Sequence, residues 1–147
     1  MTTGTLIGIA WKDKPRQPML TADAAQISTE AGLAGDFRGG PGQRQVTVLF
    51  EDDWLAACAA LGSDGAWTIR RANLLVRGLA NPKAAGGTLL IGPVALRVTG
   101  ETEPCSNMDR QWPGLTAALT TDWRGGLTTR VAAGGEVRVG DAVRWQA

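Results

Sequence analysis

The chain contains no histidine. That absence removes Ser-His-Asp and Cys-His nucleophilic arrangements, histidine-ligated zinc and any imidazole general base drawn from the chain itself. Cysteine is scarce: Cys58 and Cys105 are the only two, too few to close a tetrahedral thiolate site. Lysine is also rare, three residues against twelve arginines. No apolar run approaches the ~20 residues a bilayer demands. The N-terminus lacks a signal-peptide pattern, and a cytoplasmic protein is expected. A net charge of +1 gives no bulk pull toward nucleic acid or an anionic membrane surface. Tyrosine is absent while tryptophan occurs six times, which says nothing about function. Trp11, Trp54, Trp67, Trp123 and Trp145 read as core or half-buried residues.

What remains is an ordinary globular composition. At 147 residues with 44% hydrophobic and 20% charged, the chain suits a single domain over 1–147 that buries about two thirds of its unfolded surface. The arginine bias matters because a guanidinium fork grips phosphate or carboxylate with two hands, where lysine offers a point charge.

Cys105 is the most informative residue. It follows the alternating strand pattern Val94-Ala95-Leu96-Arg97-Val98-Thr99, and Pro104 stiffens the approach by fixing its own φ near −65°. A thiol at the end of a strand is placed for chemistry; the alternative is a small residue filling a gap beneath the turn. Without histidine, its thiolate needs arginine, backbone N–H groups or a metal for stabilisation. Glu101 and Glu103 would raise its pKa and are expected to point away. Ser106 and Asn107 add hydrogen-bonding groups, and Trp112 is a candidate wall. Cys58 reads as buried packing instead: Glu51-Asp52-Asp53 opens a helix that Gly62 ends, with Trp54, Cys58 and Leu61 on one face.

The rest of the chain alternates short strands with glycine turns. Thr5–Trp11 is a strand in which Leu6 and Ile9 imply a bulge or two-sided burial. Strands are also expected at 24–29, 45–50, 73–76, 88–91, 94–99 and 142–145. Gly134-Gly135 is expected to join 128–132 and 136–139 in a tight hairpin. The glycine-rich run 32–42 is expected to lie outside the core. A second helix is expected from Pro113 to about Trp123, stopped by Gly125-Gly126. The pattern predicts a mainly β fold with about two helices (α+β), closed or strongly coiled into a barrel.

Two further segments pair basic residues with glycine or amide. Gly35-Asp36 through Arg44-Gln45 offers glycine N–H groups with Arg38 and Arg44 for an anion, or a plain surface loop. In Arg70-Arg71-Ala72-Asn73, strand alternation would project Arg71 and Asn73 together toward a phosphate and a ring edge. Asn73 capping a turn is the alternative.

Taken together, Gly-Leu-Ala-Gly-Asp at 32–36, Arg44-Gln45-Val46-Thr47, Arg71-Ala72-Asn73-Leu74 and Leu90-Ile91-Gly92 precede the Thr99–Cys105 run. Arg124-Gly125-Gly126 and Gly134–Asp141 follow it. This order resembles that of MOSC domains, named for the C-terminal domain of molybdenum cofactor sulfurase. The resemblance spans roughly residues 5–145 and implies a small stand-alone member with a barrel-like fold. It implies a site around one cysteine, matched by Cys105, that carries sulfur as a persulfide or ligates molybdenum held by a pterin (molybdopterin). Arg71 with Asn73 would take the pterin phosphate, with Arg44, Gly35, Asp36 and Ser106 as further cofactor-binding candidates. The resemblance also implies an oxidoreductase acting on N-hydroxylated compounds with a separate redox partner protein. A non-catalytic carrier or binding module for the cofactor or sulfur is the alternative.

Overall fold

The computed structural model describes residues 3–104 and 108–147. Strand β1, Thr3–Trp11, shows how periodicity builds the fold. Its pairing slips between Leu6 and Gly8, so Leu6 and Ile9 both turn inward although three residues apart. The bulge expected from the sequence is there.

Six further strands complete a ring with β1: β5 (Val46–Phe50), β6 (Leu74–Arg77), β7 (Thr88–Ile91), β8 (Val94–Glu101), β9 (Leu127–Ala133) and β11 (Ala142–Gln146). The order is β1-β6-β5-β9-β8-β7-β11, and β11 returns to β1 through Thr3↔Arg144 and Thr5↔Ala142. The result is a closed seven-stranded barrel, which leaves no edge of the ring exposed. All ring pairings are antiparallel except β5–β6, aligned at Val48↔Leu74. A parallel pair needs a crossover, and helix α1 (Glu51–Leu61) supplies it.

Side chains on β5 and β6 divide by the two-residue repeat. Val46, Val48, Phe50, Leu74 and Val76 fill the main core with Leu6, Leu96 and Val143. Leu49 and Leu75 face the opposite way, into a second cluster with Trp54, Ala57, Cys58, Leu115 and Leu119. Both faces of these strands are covered, which explains the hydrophobic runs Val48–Phe50 and Leu74–Val76. The second cluster brings in helices α2 (Met108–Gln111) and α3 (Leu115–Thr120). Helix α1 has the acidic first turn anticipated, and Gly62 ends it in the left-handed conformation at φ 69°. Cys58 is buried, and burial pushes its thiol pKa up. Trp112 packs edge-on against Trp54 at 5.9 Å in this cluster.

A smaller sheet orders β10 (Gly135–Arg138), β3 (Ala24–Ser28) and β4 (Gly32–Leu33), and β2 (Leu20–Thr21) pairs with the end of β1. Three expectations change here. Gly134-Gly135 makes no hairpin, because β10 leaves the barrel to pair with β3 at Val137↔Ala25. The glycines serve close approach: a Cβ at Gly134 would stand 2.6 Å from the Ile27 carbonyl. The run 32–42 does contribute to the core, since Gly32 at φ 60° turns the chain so that Leu33 is fully buried. The second helix is shorter than its apolar spacing, ending at Thr120 before a 3-10 turn over Thr121–Trp123. Among the described residues no helix is long and apolar enough to cross a membrane.

Candidate functional site

Strand β1 runs out where β5 and β6 begin. The last turn of β8 crosses the same place, since Gly100 pairs with Thr128 and Thr128 with Thr47. There the barrel opens into a cavity of about 540 Å³. Five cations line it: Lys12 just beyond β1, Arg38 and Arg44 on the loop before β5, and Arg70 and Arg71 before β6. Among the described residues only two carboxylates, Asp36 and Glu103, share the lining. The ion pairs among the described residues (Arg77–Glu51, Lys83–Asp122 and Arg138–Glu136) all lie elsewhere. A pocket of unpaired cations is a pocket for an anion.

Arg71 and Asn73 both reach the cavity, but by a different route from strand alternation. Residues Trp67–Arg70 form a 3-10 turn that Arg71 ends in the left-handed conformation at φ 66°, before β6 begins. Asn73 is buried and fully engaged. Its Oδ1 accepts from the Thr47 N–H at 3.0 Å, and its Nδ2 donates to the Ala10 carbonyl at 3.1 Å and to Asp36 Oδ2 at 3.3 Å. Asn73 therefore ties β1, β5 and the glycine loop together at the rim. Asp36 straps that loop down further: its Oδ1 accepts from the Lys12 N–H at 3.4 Å, and the Phe37 N–H donates to the Lys12 carbonyl. Burial raises the Asp36 pKa, against the pull of these donors and of Arg38. Gly35, at φ 88°, lies beside the Trp11 indole. Arg44 stands exposed at the rim. Glu103 lines the cavity; the expectation that it points away from the thiol falls on Cys105, outside the described residues.

Cys105, Ser106 and Asn107 lie outside the described residues. Their described neighbours on both sides, Thr102 and Glu103 before and Met108 after, line the cavity.

Lys12, Arg70 and Thr102 escaped the sequence reading as site residues. Lys12 is 4% exposed, and its Nζ lies 5.5 Å from the Phe37 ring centroid while the Arg38 guanidinium lies 5.0 Å from it. One aromatic ring thus steadies two like charges. Arg70 is likewise 4% exposed; its Nε donates to the Gly125 carbonyl at 2.9 Å, while Nη2 is buried without a partner among the described residues. Burial, then Arg38 and Arg71, lower its pKa to about 10, leaving it charged at neutral pH. The only signal for these residues is topological: each flanks a strand that borders the opening.

Lys12 yields a pH prediction. Burial, then Arg71 and Arg38, hold its pKa below 10.5. Between its native value and 10.5 the unfolded chain binds the extra proton, so this lysine's penalty fades and stability rises with pH across that window. Lys12→Met should remove this rise, read as the pH dependence of the wild-type minus variant unfolding free energy. A difference that stays flat through the alkaline range would refute it.

A family model for the MOSC domain matches residues 34–144. No curated protein sequence matches the chain. The crystal structure of the YuaD protein from Bacillus subtilis superposes with a TM-score of 0.84 at 17% identity, covering 100% of this chain and 99% of that one. YiiM from Geobacillus stearothermophilus gives 0.73 at 16% identity, covering 98% of this chain and 75% of the other. YiiM from Escherichia coli gives 0.68 at 17%, covering 97% and 70%. These structures share the fold, and the family match extends over most of the sequence, including every strand of the ring but β1 and the last residues of β11. The chain belongs to the MOSC domain family.

Proposed function

We propose that the cavity binds the molybdenum cofactor and that Cys105 is the protein's sulfur at that site. The observation supporting this is the cluster of unpaired cations beside the segment through which β8 leads to Cys105. The residues fit the group. Its phosphate tail needs several forked or pointed cations, and Arg71, Arg38 and Arg44 at the rim, with Lys12 behind them, offer these with none engaged in a described salt bridge. Buried groups without partners, Arg70 Nη2 and Thr102 Oγ1, favour a polar occupant. No group of three or more carboxylate or thiolate side chains is placed to hold a metal ion among the described residues. One cysteine suffices where the pterin brings its own sulfur, because molybdenum favours soft thiolate donors.

When bound, the cofactor supplies a redox-active metal centre. The chain's own contribution is to hold the phosphate with arginines, to present the Cys105 sulfur and to keep the loop 34–39 in place through Asp36 and Asn73. In this reading Asn73 and Asp36 support the site, while Arg71 and Arg44 contact the ligand; Ser106 adds a hydroxyl next to the thiol in sequence. The activity fitting the family is reduction of N-hydroxylated compounds, with electrons delivered by a separate redox partner protein.

Protein purified from a host that makes the cofactor should contain molybdenum and a phosphopterin. Cys105→Ser should lose nearly all of the metal while keeping its melting temperature, as read by elemental analysis and thermal melts. Metal retained at full stoichiometry in the variant would defeat the assignment. A mass increase of about 32 Da on Cys105, one added sulfur, would instead favour the sulfur carrier.

A further inference from the structure

The turn Gly125-Gly126 positions two side chains that no other described residue satisfies. The Gly125 carbonyl accepts from Arg70 Nε at 2.9 Å, and the Gly126 carbonyl accepts from the Thr102 N–H at 2.9 Å. Both glycines are required. A Cβ at Gly125 would stand 2.7 Å from the Thr102 carbonyl, and one at Gly126, already at φ 94°, would stand 2.1 Å from the Val48 carbonyl. Packed this closely, the turn fixes Arg70 and Thr102, both of which line the cavity. Arg70 Nη2 and Thr102 Oγ1 are buried and without partners among the described residues.

Leaving such groups unmatched is costly, most of all for a charged one. The Arg38 and Arg71 charges add repulsion. A neutral occupant would answer the hydrogen bonds and leave the repulsion; an oxyanion answers both.

We infer that Arg70 and Thr102 form a second oxyanion seat, in the cavity lining, which takes the carboxylate or other oxyanion group of the substrate. It is distinct from the more open rim of Arg38, Arg44 and Arg71. The assignment to substrate rests on the reading above, in which the rim holds the cofactor phosphate; the seat itself does not. Thr102 lies three residues before Cys105, so the seat belongs to the part of the pocket nearest the thiol in sequence. Substrates with an anionic group near the reacting bond are favoured over neutral ones of the same size.

Inorganic phosphate is the probe, titrated calorimetrically into protein made without cofactor. The wild type should show two classes of site. Thr102→Val keeps the shape and removes the hydroxyl, and should weaken one class about tenfold with the other unchanged. Arg71→Ala should do the reverse. Arg70→Lys keeps the charge and loses the fork, and should also weaken the first class about tenfold. A single class in the wild type, or two classes that weaken together in every variant, overturns the seat. Thr102→Val made in a cofactor-producing host should load metal and phosphopterin normally. Loss of cofactor as complete as in Cys105→Ser would make this a cofactor contact and overturn the substrate assignment. Failure of the wild type to load cofactor would defeat the preceding proposal and leave the two-site titration standing.

Discussion

Replacing Asn73 with alanine should destabilise the fold by about 3–5 kcal/mol, a larger effect than any loss of ligand contact would explain. The side chain satisfies the Thr47 N–H and the Ala10 carbonyl, and also engages Asp36. Removing it takes this partner from the part-buried Thr47 N–H and from the buried Ala10 carbonyl, each costing about 1–3 kcal/mol, and frees the loop that Asp36 straps to β1. For a chain of this length that corresponds to a fall in melting temperature of roughly 10 °C. Thermal and denaturant unfolding of the cofactor-free variant provide the measurement. A melting temperature indistinguishable from wild type would mean that Asn73 is not the tie described, and would return it to the ligand-contacting set.

The second large effect runs in the other direction. Phosphate or a phosphomonoester at about 100 times its dissociation constant should stabilise the protein by about 2.7 kcal/mol. The melting temperature would rise by roughly 5–10 °C. The gain comes from five cations converging on one cavity against two carboxylates among the described lining residues, with none of the five in a described salt bridge. Sodium chloride at matched ionic strength screens their repulsion but makes no forked contacts, so its effect should be clearly smaller. A combined Arg38→Ala, Arg44→Ala and Arg71→Ala variant should lose the part of the phosphate effect that the rim supplies and keep the part that the Arg70 and Thr102 seat supplies. Equal stabilisation by chloride and phosphate would show that the cluster is an excess of surface charge and not a binding site.

Much of the barrel was legible in the sequence. Val46–Phe50, the helix to Leu61 and the Gly62 stop obey local rules, because strand repeat, acidic first turn and left-handed cap are all set by near neighbours. The failures share a cause. Gly134-Gly135 reads as a turn, yet β10 finds its partner in Ala24–Ser28, near the other end of the chain. Leu33 sits among glycines, and only the tertiary packing of the loop buries it. The pocket was half visible. Arg71, Asn73, Arg44 and Asp36 all line it, although Arg71 arrives through a left-handed turn and not a strand. Lys12 and Arg70 were invisible as site residues, since charged side chains are expected outside and only their shared position beside the opening reveals them.

The pairing of the first strand with the last has a consequence for biosynthesis. Every described residue that lines the cavity lies at or before Thr128, yet the ring stays open until Ala142–Gln146 has emerged from the ribosome. Until then β1 and β7 are bare borders, each able to recruit a foreign strand. One short strand of five residues covers both borders at once. A chain cut just ahead of it therefore keeps its whole pocket lining and becomes prone to aggregate.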